Sequence, residues 1–349
     1  MKITVITTIT SHSACYYLRY KSIFELLRKR GDIHYREVTR RFPFNIFNRI
    51  SIPRDTDVIF MQRCIEDKNM EKVFNFAEKN NIPIIYETDD LLTHARRREG
   101  VSNGASRVIP MLKRAAGIIV STHQLKEYFK EYNSNIFVFP NLIDSLVWSL
   151  KEDKKSYNKR KINICCIGTS LLPENFQFVL PAIKYISDKY KRDVVFNLWG
   201  NWKYIPKDIK SMKNVKMFSR FIRYKRYCRL LENAGFHFAL VPLIETSFNN
   251  CKSNIKFLEY SIAGIPGIYS NIEPYKKIKN GETGILVENN ADTWINAIVT
   301  LIGDEEKRRQ LAKNAYNFVK ERYLLTEDSC KGYLDFLLKC HTMYGADNS

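Results

Sequence analysis

The chain has 349 residues, which is more than one hydrophobic core usually serves, so two domains are expected. Hydrophobic residues make up 45% of the chain, as in ordinary globular proteins, so both domains are expected to bury a hydrophobic core. The net charge of +19 favours an anionic partner, such as nucleic acid, an anionic membrane surface or small anions like nucleotide sugars.

The cysteines and the apolar runs indicate where the protein resides. Eight cysteines are scattered without a CxxC spacing, so neither a zinc site nor a redox dithiol is predicted. Free thiols in a chain of this length are typical of a reducing cytoplasm. No apolar run approaches the ~18 residues of a membrane span, and the run after Met1 is too short for a secretory signal. We therefore expect a cytoplasmic protein whose membrane contact, where present, is peripheral.

Strands and helices alternate in the first block of the chain. The predicted strands are 3–7, 58–61, 83–86, 118–120 and 136–139, and the predicted helices are 14–30, 66–79 and 124–132. The strands have continuous apolar cores instead of an apolar and polar alternation, which is typical of parallel strands covered by helices on both faces. This block is predicted to be a doubly wound α/β domain.

A polar segment separates this block from a second one of the same kind. Residues 148–161 carry almost no apolar side chains after Leu150, which indicates a linker with the boundary near residue 155. The second block has predicted strands at 162–167, 194–198, 236–242, 267–269 and 284–287, and helices at 175–190, 223–233, 249–260, 292–302 and 305–322. We predict domains at 1–155 and 156–325, with a last helix within 326–349 that folds back onto the first domain.

A pair of lysines near residue 254 is the most informative local pattern. Lys252, Lys256 and Glu259 have the spacing of one helix face, and Asn249 or Asn250 would cap a helix with Lys252 in its first turn. A lysine is unfavourable at that positive helix end, and two neighbouring lysines repel each other. A bound phosphate would relieve both penalties. The alternative is a solvated face on which Lys256 pairs with Glu259.

The second block contains the residues that carry a family resemblance. The segment from Pro242 to Pro266 and the later Glu282-Thr283-Gly284-Ile285-Leu286-Val287 resemble GT-B glycosyltransferases, closest to the bacterial polysaccharide enzymes of the family 4, or group 1, type. The resemblance implies two Rossmann-like domains that face each other across a cleft. It also implies a transferase of the hexosyltransferase kind, with the donor nucleotide sugar in the second domain and the acceptor in the first.

The chain departs from the motif for which this family is known. The family carries two glutamates eight residues apart, and Glu259 matches the second, but Cys251 stands where the first would be. A thiol cannot accept hydrogen bonds from two sugar hydroxyls as a carboxylate does. Lys252, Ser253, Lys256 and Glu259 match instead the KSxxKxxE pattern of one subgroup. The departure leaves open how the donor sugar is held and whether its stereochemistry is retained.

The resemblance implies a donor site formed by residues of the second domain. The lysines would stabilise the diphosphate leaving group, and Glu259 would accept hydrogen bonds from the ribose hydroxyls. The predicted donor-binding residues are Gly168, Thr169, Asn249, Lys252, Ser253, Lys256 and Glu259. The segment 198–200 and Phe221 either line a base pocket or belong to the ordinary core and turns.

No metal and no cofactor beyond the nucleotide-sugar co-substrate is expected. Lysines can stabilise the leaving group without a divalent ion, so the enzyme is predicted to be metal-independent. The sequence Asp55-Thr56-Asp57 has the form of a metal-binding DxD motif, but it precedes a predicted strand instead of following one. We interpret it as a loop turn.

Catalytic and acceptor-binding candidates in the first domain follow its predicted strands. Asp89 and Asp90 come after the strand at 83–86, at the edge where doubly wound sheets bind ligands, and they are predicted as catalytic unless they only cap the next element. His12, after the first strand, is a further catalytic candidate or a plain polar loop residue. Arg19 and Arg63 are predicted to contact an acceptor or a phosphate.

The segment Arg40–Ile50 alternates cations with aromatic residues. Such a composition suits an anchor on anionic lipid, and the alternative is a loop that packs on the first sheet.

Taken together, these features predict a glycosyltransferase that elongates a bacterial surface polysaccharide or lipid-linked glycan. Two alternatives stay open: a GT-B nucleotide-sugar epimerase and, since the charge is so high, a nucleic-acid-binding protein. The scattered cations and the lack of a known nucleic-acid-binding motif disfavour the last.

Overall fold

A computed structural model describes residues 1–39, 51–94, 104–150, 161–168, 173–200 and 205–346. The chain forms two compact units, the first from Met1–Leu142, Cys251–Ser253 and Leu325–Ser349, and the second from Ile143–Asn250 and Asn254–Leu324. The predicted lipid-anchor segment, Thr169 and most of the predicted linker lie outside the described residues. None of the helices within the described ranges has the length and apolar character that crossing a membrane requires.

The first unit is built on a parallel sheet of six strands in the order β2-β1-β3-β4-β5-β6. The strands are β1 (Lys2–Thr7), β2 (His34–Thr39), β3 (Val58–Gln62), β4 (Ile84–Thr88), β5 (Gly117–Val120) and β6 (Ile136–Val138). The helices are α1 (Ala14–Tyr16) and α2 (Ser22–Lys29), joined by a π-helical turn at Tyr17–Lys21, then α3 (Lys68–Lys79), α4 (Gly104–Arg114) and α5 (His123–Phe129).

The central strands of this sheet are buried along their whole length. Every residue of β3 and β4 is buried, which is the arrangement that their continuous apolar sequences predict. The covering helix α3 begins after Asp67, whose side chain accepts hydrogen bonds from the amides of Asn69 and Met70. Helix caps of this kind satisfy amide groups that have no partner within the helix.

The last helix of the chain, α13 (Glu327–Ala346), packs on the first unit. The Tyr333 ring lies 4.9 Å from the Phe139 ring, and Phe336 stacks on Phe137 at 5.3 Å between ring centroids. A methyl group at Gly117 would come within 2.7 Å of both Cys340 and Phe336, so α13 approaches β5 closely. The core of the first unit therefore includes side chains from both ends of the sequence.

The second unit repeats the plan with a parallel sheet in the order β12-β11-β10-β7-β8-β9. Its strands are β7 (Ile162–Gly168), β8 (Val194–Gly200), β9 (Val215–Phe218), β10 (Phe238–Val241), β11 (Gly267–Ser270) and β12 (Ile285–Val287). Its helices are α6 (Val179–Lys189), α7 (Lys207–Lys210), α8 (Tyr224–Asn233), α9 (Ser247–Asn250), α10 (Ile255–Ile262), α11 (Ala291–Gly303) and α12 (Glu305–Arg322).

A close backbone approach marks the carboxyl ends of β7 and β8. Gly168 and Gly200 are partners in the strand register, and Gly200 has a φ of +141°. A β-carbon at Gly200 would lie 1.7 Å from the carbonyl oxygen of Gly168, so only glycine fits there. The two strands thus meet with no side chain between them at the edge where ligands bind in such sheets.

The prediction of two doubly wound α/β domains is confirmed. Four elements were not predicted: the strand β2 at one edge of its sheet, the strand β9 at the edge of the other, α4, which contains Pro110, and the one-turn helix α7. Edge strands are half-solvated, so their polar residues hide the strand pattern. A proline inside a helix is likewise a signal against the helix.

A buried histidine in the second unit makes its stability depend on pH. The amide of Asn163 donates to Nδ1 of His237 over 3.0 Å, and His237 is 4% exposed. Burial, and then the charge of Arg308, lower the pKa of His237 to about 4. The unfolded chain, with a histidine pKa of about 6.5, binds more protons than the folded chain between these two values. The folded state therefore loses stability as the pH falls from about 6.5 towards 4.

We expect His237→Asn to reduce this loss, because its amide oxygen can replace Nδ1 as the acceptor and does not titrate. Between pH 7 and 4.5 the native histidine should cost about 2 to 3 kcal/mol of unfolding free energy that the variant keeps. Urea unfolding of both proteins at the two pH values measures the difference. Equal losses in the two proteins would show that His237 is not responsible.

Candidate functional site

Both sheets reverse their strand order next to their first strand. The reversal lies between β1 and β3 in the first unit and between β7 and β10 in the second. Loops that leave the carboxyl ends of such neighbouring strands go to opposite faces of the sheet, which opens a crevice for ligands. A ligand site is therefore expected at the loops that follow β1, β3, β7 and β10.

In the first unit an arginine gathers two carboxylates at this edge. Arg63 directly follows β3 and has a φ of +51°, which is uncommon for a residue with a β-carbon. Its Nη1 lies 3.0 Å from Oδ1 of Asp89, and its Nη2 lies 2.9 Å from Oδ2 of Asp90. Cys15 completes the group, with its Sγ 3.7 Å from Nη1. The structure thus brings together three residues that the sequence analysis singled out.

The two carboxylates are chemically different although they share one guanidinium. Burial alone would raise the pKa of Asp89, but the charge of Arg63, the hydrogen bond with Cys15 and the charge of Arg19 together outweigh burial and hold that pKa below its usual range. Burial, and then the negative charge of Asp89, raise the pKa of Asp90. Neighbouring carboxylates whose pKa values move apart can divide the roles of fixed charge and proton acceptor. Asp90 is accordingly the better candidate for a proton acceptor.

Arg19 is buried in the first unit and is not positioned for the contact with a substrate that the sequence predicts. Its side chain is completely buried, and its Nε lies 2.7 Å from Oε1 of Glu87, which is also completely buried. Its Nη1 donates to the carbonyl oxygen of Phe139 at 2.8 Å and to Oδ1 of Asn141 at 3.0 Å. These bonds tie the first helical segment to β4 and to the chain after β6. We assign Arg19 a structural role and leave it out of the residues proposed to contact substrate.

His12 lies half-buried in the loop after β1, one residue before the Ser13 that caps α1. This loop leaves the first strand at the point where the strand order reverses, so the placement suits a ligand-contacting residue. Its part in catalysis stays a prediction.

The helix predicted at 249–260, which contains Lys252 and Lys256, is interrupted in the structure. The prediction of one continuous helix with Lys252 in its first turn is wrong, because α9 ends at Asn250 and α10 begins at Ile255. The N-cap residue is Asn254, instead of Asn249 or Asn250. The lysine in the first turn of α10 is therefore Lys256, and Lys252 belongs to the turn between the helices.

The end of α10 is as predicted. Gly264 has a φ of +68°, and the amides of Gly264 and Ile265 donate to the carbonyl oxygens of Ser261 and Tyr260. This backbone pattern ends helices at a glycine, and the Pro266 that follows cannot continue one. The chain then enters β11 directly.

Lys256 and Glu259 form a compact polar group with Tyr227 of α8. Lys256 Nζ lies 2.8 Å from Oε2 of Glu259, and the Tyr227 hydroxyl donates to the same oxygen over 3.0 Å. Lys256 Nζ also donates to the Tyr227 hydroxyl oxygen at 3.2 Å and lies 5.1 Å from the centre of its ring. Glu259 is 2% exposed, whereas Lys256 keeps 26% of its side chain exposed. The pairing of Lys256 with Glu259 that the alternative interpretation assumed is thus present, but its carboxylate is buried.

The turn from Cys251 to Ser253 belongs to the first unit. The Thr122 hydroxyl donates to the carbonyl oxygen of Cys251 at 3.0 Å, and Nδ2 of Asn141 donates to the Ser253 hydroxyl at 2.7 Å. Burial lowers the pKa of Lys252, and the charge of Asp90 opposes this effect. Cys251 is fully buried, and burial raises the pKa of its thiol to about 12. Cys251 is therefore a neutral packing residue at the position where the motif that the sequence resembles has its first glutamate.

Two further donor candidates occupy the second unit. Gly168 is the last residue of β7, at the close approach to Gly200 described above. Asn249 is buried, and its Nδ2 donates to Oδ1 of Asn175 at 3.1 Å and to the carbonyl oxygen of Ile244 at 2.9 Å. Asn249 thus holds the loop before α9, and a direct contact with the donor stays a prediction for both residues.

The aromatic residues predicted near a base pocket differ in exposure. The Trp199 ring packs against Phe218 at 5.7 Å and Phe236 at 5.2 Å, so it is part of the packing around β8. Phe221 is 68% exposed in the segment after β9. Trp199 is half-buried, so Phe221 is the more accessible of the two for contact with a planar ligand.

The formal DxD motif lies in a turn before β3. Asp55 pairs with the Lys2 side chain at 2.9 Å, and Asp57 accepts a hydrogen bond from the Lys2 amide at 2.7 Å. Both carboxylates thus serve to fasten β1. Across the described residues, no group of three or more metal-binding side chains is close enough together to hold an ion.

Two residues of these polar groups, Tyr227 and Glu87, are not among those that the sequence motifs indicate. Tyr227 has no motif of its own, and nothing in the spacing of α8 indicates that it reaches Glu259, 32 residues later. Glu87 lies two residues before Asp89, near the end of an otherwise apolar strand. A charged residue in such a strand indicates a buried ion pair, and this was the feature by which Glu87 could have been found. A buried glutamate requires a partner, which Arg19 provides.

We expect Arg19→Met to destabilise the protein by about 3 to 5 kcal/mol, because it leaves the Glu87 carboxylate buried without its counter-ion. The double variant Arg19→Met, Glu87→Gln removes both charges and should recover most of that loss. Urea unfolding of the three proteins measures it. A double variant as unstable as the single one would show that the packing of Arg19, and not its charge, is what the fold needs.

Comparison with known proteins relates the second unit to one enzyme group. Residues 161–304 match the family described as glycosyl transferases group 1, a range that runs from β7 to the end of α11 and contains Lys256, Glu259 and Tyr227. No curated protein matches the chain by sequence.

Several solved structures are similar in fold to most or all of the chain. Anabaena HepE in complex with UDP and glucose has a TM-score of 0.63 at 15% identity, over 93% of this chain and 96% of that one. Sucrose-phosphate synthase from Thermosynechococcus elongatus has a TM-score of 0.66 at 12% identity, over 99% of both chains. TarM has a TM-score of 0.61 at 17% identity over 81% of this chain, which spans only 55% of TarM. At these identities the likeness shows the fold alone: the chain has the GT-B fold, and its second unit carries a match to glycosyl transferases group 1.

Proposed function

We propose that the protein is a glycosyltransferase that transfers a sugar from a nucleotide-diphosphate donor to a hydroxyl group of an acceptor glycan. The observation that carries the proposal is the Lys256 and Glu259 pair on α10, within the segment that matches glycosyl transferases group 1. Similar folds support it, because HepE has been solved with UDP-glucose and TarM with UDP.

The donor half of the reaction belongs to the second unit. The sugar's anomeric carbon loses its bond to the diphosphate, which leaves with the electron pair and gains negative charge. Lys256 stands in the first turn of α10, where the helix dipole is positive, so lysine and helix end together favour that charge. Glu259 would accept hydrogen bonds from the ribose hydroxyls, as the resemblance implies. Lys252, the second cation that the sequence predicts for the diphosphate, lies in the turn that belongs to the first unit, and its contact with the donor stays a prediction.

The acceptor half of the reaction belongs to the first unit. An acceptor hydroxyl oxygen forms the new bond to the anomeric carbon, and its proton must pass to a base. For a displacement with inversion, we assign that role to Asp90, because burial and Asp89 raise its pKa towards that of a useful base. Arg63 fixes the position of both carboxylates, and its charge, with the Cys15 hydrogen bond and the charge of Arg19, lowers the pKa of Asp89. The lysines provide the stabilisation that a metal ion would otherwise give, so we propose a metal-independent reaction.

The acceptor that we propose is a bacterial surface polysaccharide or a lipid-linked glycan. This part of the proposal rests on the KSxxKxxE pattern and its resemblance to polysaccharide enzymes, and on the charge of +19, which suits work at an anionic membrane surface. A hexose donor and a peripheral position on the cytoplasmic face of the membrane complete it.

A screen of nucleoside diphosphates by thermal shift tests the donor site. We expect at least one of UDP, GDP, ADP and dTDP to raise the melting temperature, because a ligand of the native state adds about 2.7 kcal/mol at 100 times its Kd. Lys256→Ala should abolish the shift, and Lys252→Ala and Lys256→Ala should each abolish turnover. Lys213→Ala, an exposed lysine of the same unit, is the control that should keep both.

The outcome also separates the alternatives. No shift with any nucleotide would remove the main support for a transferase. Binding of a nucleotide sugar that is isomerised or hydrolysed without an acceptor would favour the epimerase. Salt-sensitive binding of any oligonucleotide, without saturable nucleotide binding, would favour a nucleic-acid-binding protein.

A further inference from the structure

The geometry points to Tyr227 as the positioning residue of the donor site, which holds the Glu259 carboxylate for the ribose and thereby sets the affinity for the nucleotide. This inference rests on the proposed function, because it assigns a role within the same site. Tyr227 lies on α8, outside the motif that carries the family resemblance. It reaches the motif only through the fold of the second unit.

The hydroxyl of Tyr227 occupies the middle of the polar group. It donates to Oε2 of Glu259 at 3.0 Å and accepts from Nζ of Lys256 at 3.2 Å, while Lys256 itself lies 2.8 Å from Oε2. Both hydrogen bonds of the carboxylate thus converge on one oxygen. No described residue donates a hydrogen bond to the other oxygen, Oε1, so it is the one available to accept from a ligand hydroxyl.

The phenol is well suited to hold a carboxylate permanently. Burial, and then the charge of Glu259, raise the pKa of Tyr227 well above its usual value, so the hydroxyl keeps the proton that it donates. The ring is fixed from the side by Tyr224, which stacks on it with 6.2 Å between centroids and 23° between planes. A donor that neither titrates nor rotates away gives the carboxylate a fixed orientation.

A second hydrogen-bond partner for Glu259 matters because Lys256 would interact with two anions, the Glu259 carboxylate and the diphosphate. In the proposed reaction Lys256 stabilises the diphosphate, and a lysine shared between two anions binds each less tightly. The Tyr227 bond is neutral and points only at Glu259, so it orients the carboxylate whichever anion Lys256 favours. Tyr227 therefore supports contacts to the ribose, and the ribose is remote from the bond that breaks.

Tyr227→Phe isolates this role, because it removes the hydroxyl and keeps the ring that Tyr224 and Lys256 contact. Loss of one hydrogen bond to a charged group in a buried site should weaken nucleoside diphosphate binding about 10-fold. Contacts to a remote part of the substrate that do not change in the transition state affect KM more than kcat. We expect KM for the nucleotide sugar to rise by a similar factor and kcat to stay within about twofold.

The decisive measurement compares two ligands by isothermal titration calorimetry. One is the nucleoside diphosphate that binds best in the thermal-shift screen, and the other is its 2′,3′-dideoxy analogue, which has no ribose hydroxyls for Glu259. If Tyr227 acts through Glu259 and the ribose, the variant should weaken the normal ligand about 10-fold and the dideoxy ligand less than about twofold. Equal weakening of both ligands, or none of either, would overturn the inference.

Two controls distinguish the loss of this one hydroxyl from a general effect of the substitution on the protein. Tyr185→Phe makes the same chemical change on an exposed tyrosine of α6 and should leave both affinities unchanged. The melting temperature of the unliganded Tyr227→Phe protein shows whether the variant folds normally. Failure of the unmodified protein to bind any nucleoside diphosphate would overturn the proposed function itself, whereas normal binding with an unaffected Tyr227→Phe variant would overturn only the inference.

Discussion

Parallel pairing of the strands shapes both units of the protein. All the strands of both sheets run the same way, so every connection crosses back through a helix or a long segment and every strand ends at the same edge of its sheet. This requirement buries the central strands on both faces and makes their sequences mostly apolar, whereas the edge strands β2 and β9 keep polar residues. It also concentrates the loops with charged residues at one edge of each unit, where Arg63 follows β3 and Gly168 ends β7.

The charged groups of the two candidate sites are arranged differently in the two units. In the first unit one guanidinium serves two carboxylates, and their unequal surroundings separate the pKa values of Asp89 and Asp90. In the second unit one carboxylate serves a lysine and a tyrosine, and it is buried while the lysine keeps contact with solvent. A net charge of +19 therefore does not mean uniformly basic sites. Each candidate site of this basic protein contains at least one buried or half-buried carboxylate.

The sequence predicted the architecture well because strand burial leaves a strong pattern. Continuous apolar runs identified the buried strands β1, β3, β4, β7 and β10, and a glycine followed by a proline identified the end of α10. The break at Cys251–Ser253 was not predictable from local spacing, since Lys252, Lys256 and Glu259 fit one helix face. The turn is held by Thr122 and Asn141, more than 100 residues earlier in the chain. Hydrogen bonds from such distant residues outweigh helical propensity without leaving a trace in the local sequence.

The candidate site was predictable where charge is unusual and unpredictable where partners are distant. Asp89, Asp90 and Arg63 were found because they follow predicted strands, and the structure brings them together. Arg19 was assigned to a substrate because a sequence does not show which arginine has a buried partner. The close approach at Gly200 has a consequence of its own. A survey of substitutions would score this position among the least tolerant, and its loss would resemble loss of a catalytic group. Because Gly200 has no side chain, the backbones of β7 and β8 can approach each other closely. Intolerance to mutation at this position would therefore reflect a requirement of the fold and not a role in catalysis.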